Sequence, residues 1–149
     1  MNPIALHRLA NWLRWLRGIP VIPSVVDAFL FALCGARVKH RTSIGSGSVL
    51  GHGGNGIVSH PDVVIGKRVM ICQQVTIGRR GVDTTLPIVG DDVYIGAGAK
   101  ILGPVRIGDG AIIGANAVVL HSIPSRCVAA GVPARITREN VEIGSVEPW

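Results

Sequence analysis

"VYIGAGAKILGPVRIGDGAIIGANAVVL", residues 93–120, repeats a six-residue pattern over its whole length. An isoleucine or valine recurs at every sixth position, glycine usually follows it, and the fourth residue after it is small or β-branched. This period is neither the 3.6 residues of an α-helix nor the simple alternation of a strand. It predicts short strands joined by tight, glycine-assisted corners in a coiled ribbon.

The same period extends towards the N-terminus and is interrupted twice. Its aliphatic positions are Ile65, Ile71, Ile77, Val89, Ile95, Ile101, Ile107, Ile113 and Val119. Two periods separate Ile77 from Val89, so "RRGVDTTLP", residues 79–87, is predicted to be a protruding loop. Ile44 and Leu50 keep the six-residue step but are out of phase with the later set by three, which indicates three inserted residues between Leu50 and position 59.

These repeats, together with the closing "AAGVPARI", resemble the hexapeptide-repeat acyltransferases over about residues 37–136. The resemblance implies a mainly β protein, folded as a left-handed parallel β-helix. It is strongest to the serine acetyltransferase-like branch, and in particular to its short members that acetylate sugars. It further implies a homotrimer that binds acetyl-coenzyme A in a groove between subunits and transfers the acetyl group directly to an acceptor, with histidine as the base.

The chain is expected to divide into an N-terminal helical segment (1–36), the β-helix (37–136, with the loop 79–87) and a C-terminal tail (137–149). In the first segment, leucines at helical spacing indicate an amphipathic helix. They are Leu6, Leu9, Leu13 and Leu16. Trp12, Trp15 and nearby arginines suit a membrane interface, but packing on the β-helix or on a neighbouring subunit is the favoured alternative. The following apolar stretch is too short between its prolines to span a bilayer.

Composition limits the partners and the compartment. The net charge of +6 calls for an anionic partner, whereas an aromatic content of 4% leaves few stacking platforms for nucleic acid. A phosphorylated small molecule or an anionic membrane face is therefore expected. The three cysteines, Cys34, Cys72 and Cys127, lack disulfide or zinc spacing and are interpreted as buried thiols. A cytoplasmic protein is predicted, with weak association at the inner face of the membrane as an alternative.

Two histidines in the interrupted region are the candidate catalytic residues. Three hexapeptides make one coil of eighteen residues, so His60 is predicted to lie in one column with Gly78, Gly96 and Gly114. In the family, alanines matching Ala97 and Ala115 contact the pantetheine arm, which would cover roughly 14 Å along this edge. His60 is therefore predicted to be the general base, because a neutral imidazole can accept the hydroxyl proton at cellular pH. His52 is predicted to bind substrate or to assist.

Basic side chains near this groove are candidates for the phosphates of coenzyme A. They are Arg79, Lys100 and Arg135. Gly78 and Arg79 complete the predicted cofactor site, and no metal is required. No covalent intermediate is assigned to Cys72, which is expected to serve packing.

The acceptor is left open between two classes. The chain has Leu86 where serine acetyltransferases place a second histidine, and Arg37 where they place an orienting aspartate. A sugar hydroxyl on a polysaccharide precursor is therefore the leading expectation, and serine O-acetylation is the alternative. A non-catalytic scaffold is less favoured. So is a γ-type carbonic anhydrase, because His40, His52 and His60 have the wrong intervals for its zinc site.

Overall fold

The computed structural model describes residues 35–39 and 41–142, together with Val25, Ala28, Phe31 and Ala32. The predicted N-terminal helix and His40 lie outside the described residues, as does Cys34. The strands are β1 Arg37–Val38, β2 Ser43–Ile44, β3 Val49–Leu50, β4 Val58–Ser59, β5 Val64–Ile65, β6 Met70–Ile71, β7 Thr76–Gly78, β8 Ile88–Val89, β9 Tyr94–Ile95, β10 Lys100–Leu102, β11 Arg106–Ile107, β12 Ile112–Ile113, β13 Val118–Val119, β14 Val128–Ala130 and β15 Arg135–Arg138. One 3-10 turn, Gly51–Gly54, follows β3.

The strands form three parallel sheets, which are the three faces of a prism. Sheet A has the order β1-β4-β7-β10-β13, sheet B β11-β8-β5-β2, and sheet C β15-β14-β12-β9-β6-β3. From β1 to β13, consecutive strands belong to sheets A, B and C in turn, so the chain winds around the prism and each coil stacks on the one before it. Among the strands of the described residues, only β15 pairs in the antiparallel sense, along β14 at the end of sheet C. The prediction of a parallel β-helix is confirmed.

The core is the inside of the prism. The second residue of nearly every strand points inward and is buried, whereas the first is more exposed, as the alternation of a β-strand requires. The inward positions from Ile65 to Val119 are the aliphatic positions of the six-residue repeat, and each is at most 3% exposed. Burying such side chains contributes about 1.5–3 kcal/mol each. The repeat is therefore the packing pattern of the core.

The number of residues in a coil changes along the prism. Arg37 pairs with Val58, 21 positions later, because the 3-10 turn Gly51–Gly54 lengthens the first coil. The predicted insertion of three residues is thus confirmed. Ile77 pairs with Ile101, 24 positions later, because residues 79–87 add a further six-residue period without adding a strand. In the next coil the step is 18 residues.

The column predicted for the cofactor is wrong for this reason. The step across the loop is 24 residues and not 18, so Gly78 pairs with Leu102. Gly96 instead follows Ile95, which pairs with Ile71 and Ile113, and so lies in one column with Cys72 and Gly114. His60 and Gly78 therefore stand on a different edge of the prism from Gly96 and Gly114.

The three edges take their names from the sheets that they join. At the C/A edge the chain leaves sheet C and enters sheet A, through residues 51–57, 72–75, 96–99 and 114–117. At the A/B edge it passes through residues 60–63 and the loop 79–87, and at the B/C edge through residues 45–48, 66–69, 90–93 and 108–111. On the B/C edge Arg68 donates two hydrogen bonds of 2.6 Å to Asp92, and this bonding lowers the pKa of the Asp92 carboxyl.

Candidate functional site

The predicted site residues fall on two edges. His60, Gly78 and Arg79 lie on the A/B edge. The other four small residues of the predicted site lie on the C/A edge, which also carries His52. These four are Gly96, Ala97, Gly114 and Ala115.

His52 lies at the N-terminal end of the C/A edge. It sits in the 3-10 turn Gly51–Gly54 with a left-handed backbone conformation, φ 48° and ψ 42°, and its side chain is exposed. Positive φ recurs at corners of this prism, as at Arg68, Gln74 and Asp92, so the conformation belongs to the turn and is not by itself a sign of function. The inserted residues thus present an imidazole at the end of this edge.

One column runs along the C/A edge from His52. Leu50 pairs with Ile71, Ile71 with Ile95, and Ile95 with Ile113, so the second residue after each of them occupies the same place in successive coils. That column is His52, Gln73, Ala97 and Ala115. Three coil steps, roughly 14 Å at the spacing of paired strands, separate its ends. The column that was predicted to end at His60 therefore ends at His52.

The backbone N–H groups of this column are unpaired. Their neighbours are all hydrogen-bonded between coils: Gly96 donates to Ile113 and Gly98 to Gln73, for example, at 2.8 and 2.9 Å. Within residues 35–39 and 41–142, nothing accepts a hydrogen bond from the backbone N–H of Gln73, Ala97 or Ala115. Because an amide donor rarely stays without a partner, three successive coils offer donors to a ligand or to water.

The B/C edge shows how such donors are otherwise satisfied. At the equivalent place in its coils, the N–H of Lys67 donates to the Asp91 carboxylate and the N–H of Asp91 donates to the Asp109 carboxylate, both at 2.8 Å. On the C/A edge the corresponding residues of the following coils are Ala97 and Ala115, which carry no acceptor. Alanine in place of aspartate therefore leaves this row of donors free.

In the described part of the A/B edge there is no comparable row of unpaired donors. Below His60 the column continues with Gly78 and then with Leu102, whose side chain occupies the place where a glycine was predicted. Pro61, the next residue, has no N–H to offer. The N–H of Gly103 is bonded to Gly78 at 2.9 Å.

His60 is held by its own turn. Its Nδ1 accepts a hydrogen bond from the backbone N–H of Asp62 at 3.3 Å, and its side chain is 23% exposed. Asp62 in turn accepts a hydrogen bond of 2.6 Å from Arg41. These contacts fit a histidine that stabilises a corner of the prism.

The glycines of the predicted site do not have one common role. A side chain at Gly96 would meet the backbone nitrogen of Ala115 at 2.6 Å, so glycine is needed there because the next coil approaches closely. At Gly78 the nearest atom to an added Cβ is 4.0 Å away, on His60. The expectation that a ligand requires these glycines is therefore not supported at Gly96.

We expect Gly96→Ala to destabilise the protein and Gly78→Ala to be tolerated. The first change forces the coils apart, at a cost typical of an overpacked core, about 1–3 kcal/mol. Thermal unfolding of the two variants measures the difference. Equal melting temperatures for both would show that the coils can separate at Gly96 without cost.

The predicted basic residues have different surroundings. The ammonium group of Lys100 donates to the carbonyls of Gln74 and Gly98, at 3.2 and 2.6 Å, and so ties two coils together at the C/A edge. Arg79 is exposed at the start of the loop 79–87. Arg135 is exposed on β15 and donates to the carbonyl of Ala134 at 3.0 Å. Arg135 is therefore better placed than Lys100 to meet a phosphate.

The structure bears on three further interpretations of the sequence, which concern the cysteines, a metal site and a membrane span. Cys72 and Cys127 are buried free thiols, as expected. Among the described residues, no three histidine, cysteine or acidic side chains are grouped as metal ligands would be, and His52 and His60 stand on different edges. No helix in the described part of the chain is long and apolar enough to cross a membrane.

Gln73 is a site residue that the sequence analysis missed. It occupies the C/A column between His52 and Ala97, in the coil before the loop. Its position depends on the 24-residue step, which the six-residue period alone did not reveal. The glutamine pair in "CQQV" stands where later coils have a small residue, and this was the signal available in the sequence.

Comparison with known proteins agrees with the fold and the repeat. The family described as "Bacterial transferase hexapeptide (six repeats)" matches residues 87–121. The parallel prism agrees with this match, and both identify the repeat of this chain as the hexapeptide repeat of bacterial transferases.

Along most of its length the chain is similar to serine acetyltransferases. It is 36% identical to that of Synechococcus elongatus, over 89% of this chain and 54% of the relative. It is 39% identical to that of Mycobacterium tuberculosis, over 87% of this chain and 57% of the relative. The solved serine acetyltransferase of Brucella abortus in complex with coenzyme A superposes with a TM-score of 0.84 at 34% identity, covering 92% of this chain and 55% of that one. The chain spans about half the length of these relatives.

Proposed function

We propose that this protein transfers the acetyl group of acetyl-coenzyme A to a hydroxyl group, with the reaction at the N-terminal end of the C/A edge. The observation that carries the proposal is the row of unpaired N–H donors at Ala115, Ala97 and Gln73, which leads to His52. The similarity to a serine acetyltransferase solved with coenzyme A supports the choice of ligand.

The pantetheine arm fits this row chemically. It is a narrow, extended chain whose amide carbonyls need hydrogen-bond donors, and the edge offers donors in successive coils, about 4.8 Å apart. Alanine side chains at two levels leave room for the chain to lie against the backbone. Such an arm would bring its thioester to the end of the edge, beside His52.

His52 is proposed as the general base, in place of His60. Its neutral imidazole takes the proton of the acceptor hydroxyl as the oxygen attacks the thioester carbon, which contributes about 10²–10⁴-fold to the rate. The C–S bond then breaks, its electron pair goes to sulfur, and the imidazolium returns the proton to give the free thiol. Holding both substrates beside a rigid edge supplies their orientation.

Serine is the proposed acceptor. The curated relatives described above are serine acetyltransferases, and they support the alternative that the sequence analysis left open better than the expected sugar hydroxyl or a role in polysaccharide synthesis. Leu86, which replaces the second histidine of those enzymes in the family resemblance, packs partly buried against the core. The acceptor screen described next therefore includes sugars, for comparison with serine.

The test is an acceptor screen with acetyl-coenzyme A in which the free thiol is measured. We expect thiol release to depend on L-serine and to exceed release with D-serine or with monosaccharides. Thiol release only with a monosaccharide would contradict serine as the acceptor and support the sugar hydroxyl that the sequence predicts. If no thiol is released with any acceptor and a titration shows no binding of coenzyme A, the proposal is contradicted. A non-catalytic scaffold would then be the remaining function.

Assembly and location are further parts of the proposal. A homotrimer is expected because a single prism edge is open to solvent on its outer side, and a neighbouring subunit would enclose the arm. Sedimentation at micromolar concentration tests this, and a stable monomer would contradict it. Cytoplasmic location and contact of the N-terminal segment with a membrane surface also stay predictions.

Arg135→Ala is expected to raise the KM for acetyl-coenzyme A about 3- to 10-fold and to leave kcat nearly unchanged. The guanidinium group would contact a phosphate equally in the ground state and in the transition state, so its loss weakens uniform binding only. Steady-state kinetics with acetyl-coenzyme A measures both constants. An unchanged KM would remove Arg135 from the cofactor site.

A further inference from the structure

Gln73 occupies the level of the C/A edge next to His52. The coils that follow present a glycine and an alanine at this edge, Gly96–Ala97 and Gly114–Ala115, whereas the coil beside His52 presents Cys72 and Gln73. The row of small residues therefore ends in a long polar side chain. It ends at the level where the proposed reaction would take place.

The carboxamide of Gln73 has no partner within the described chain. Its side chain is partly buried, and no described group donates to it or accepts from it. The neighbouring thiol of Cys72 is different, because it lies 3.4 Å from the hydroxyl of Tyr94 and hydrogen-bonds to it. The backbone N–H of Gln73 is unpaired as well. One residue thus brings both a backbone donor and a side-chain donor to a single level of the edge.

The carbonyl groups of acetyl-coenzyme A match the levels of the edge in number and order. Its arm has two amide carbonyls and then the thioester carbonyl, and roughly four to five bonds separate each from the next, about one coil step. If the two amide carbonyls accept from Ala115 and Ala97, the thioester carbonyl reaches the level of Gln73. The group that gains negative charge in the reaction is then beside the two donors.

We infer that Gln73 is a further catalytic residue, whose carboxamide N–H donates to the thioester oxygen as the acceptor attacks. This inference rests on the proposed function. As the new C–O bond forms, the carbonyl π electrons move to that oxygen, and the N–H groups of Gln73 stabilise the charge. When the C–S bond breaks, the carbonyl re-forms and the electron pair leaves on sulfur, which His52 then protonates.

The test compares Gln73→Met with Gln74→Met. Methionine keeps the length of the side chain and removes its donors, and Gln74 is the exposed neighbour outside this column, with a φ of 60°. We expect Gln73→Met to lower kcat and kcat/KM about 100-fold, with little change in KM for acetyl-coenzyme A, as for the loss of an oxyanion donor. Gln74→Met should stay within about threefold of the unmodified protein.

Binding of free coenzyme A provides the second readout. Free coenzyme A lacks the acyl carbonyl, so its Kd should be the same for Gln73→Met and for the unmodified protein, which also shows that the variant folds. Gln73→Glu, a variant of the same shape that cannot donate when ionised, should show the same loss of kcat. Near-normal kcat in both variants would overturn the inference about Gln73. It would leave the proposed function in place, because that function is tested by acetyl transfer in the unmodified protein. A change confined to the KM for the acceptor would also overturn the inference.

Discussion

Replacing His52 with alanine is expected to lower kcat for acetyl transfer by at least about 100-fold, with little change in the Kd of coenzyme A. A general base acts on the proton that moves in the transition state and contributes little to binding of the ground state. The reason for choosing His52 is its place at the end of the column of Ala115, Ala97 and Gln73. Single-turnover or steady-state thiol release measures the change.

His60→Ala is the comparison that decides between the two histidines. His60 holds a turn on the A/B edge through Asp62, so its loss should lower stability and leave kcat within about threefold. Kinetics are measured at a temperature where both variants are folded, as shown by circular dichroism. Loss of thiol release in His60→Ala alone would restore the first expectation, in which His60 is the base.

Ala115→Asp is expected to raise the Kd of coenzyme A about 100-fold and to leave the protein folded. The new carboxylate should accept from the N–H of Ala97, as Asp109 accepts from Asp91 on the B/C edge at 2.8 Å. It would remove one donor from the row and place a negative charge beside an anionic ligand. Isothermal titration with coenzyme A measures the affinity.

Ser125→Asp is the matched control. Ser125 lies at the equivalent place on the B/C edge, in the coil after Asp109, so the variant adds the same carboxylate on an edge without the donor row. Its affinity for coenzyme A should stay within about threefold of the original. Equal weakening in both variants would mean that added negative charge alone impairs binding. Unchanged affinity in Ala115→Asp would place the ligand elsewhere.

Much of the fold could be predicted from the six-residue period. The inward positions are set by apolar burial, which the sequence shows directly, and the three extra residues before position 59 appear as a change of phase. The register between successive coils could not be predicted from the period in the same way. Residues 79–87 lengthen the coil from 18 to 24 residues, and this moves every later column by one edge relative to the earlier ones.

The error in register had a direct effect on the candidate site. The small residues of the edge, Ala97 and Ala115, were identified correctly as members of one column, because no insertion lies between them. Their connection to His60 crossed the loop and was wrong. The unpaired N–H groups could not be read from the sequence at all, since they depend on which residue of the next coil faces each donor.

The B/C edge has a constant length, and this has a consequence for how such a molecule can change. In every coil six residues separate the inward position of sheet B from that of sheet C, as from Ile65 to Ile71 and from Val89 to Ile95. The changes in length lie at the other two edges: at the 3-10 turn Gly51–Gly54, in residues 79–87, and after Val119, where only four residues separate it from Ile123. The hydrogen bonds of the Asp91 and Asp109 carboxylates and the pair of Arg68 and Asp92 link successive coils along the B/C edge. Segments can therefore be inserted at the C/A and A/B edges without changing the contacts that fix one coil on the next. Such insertions alter the surface that meets a ligand and leave the stacking of the coils unchanged.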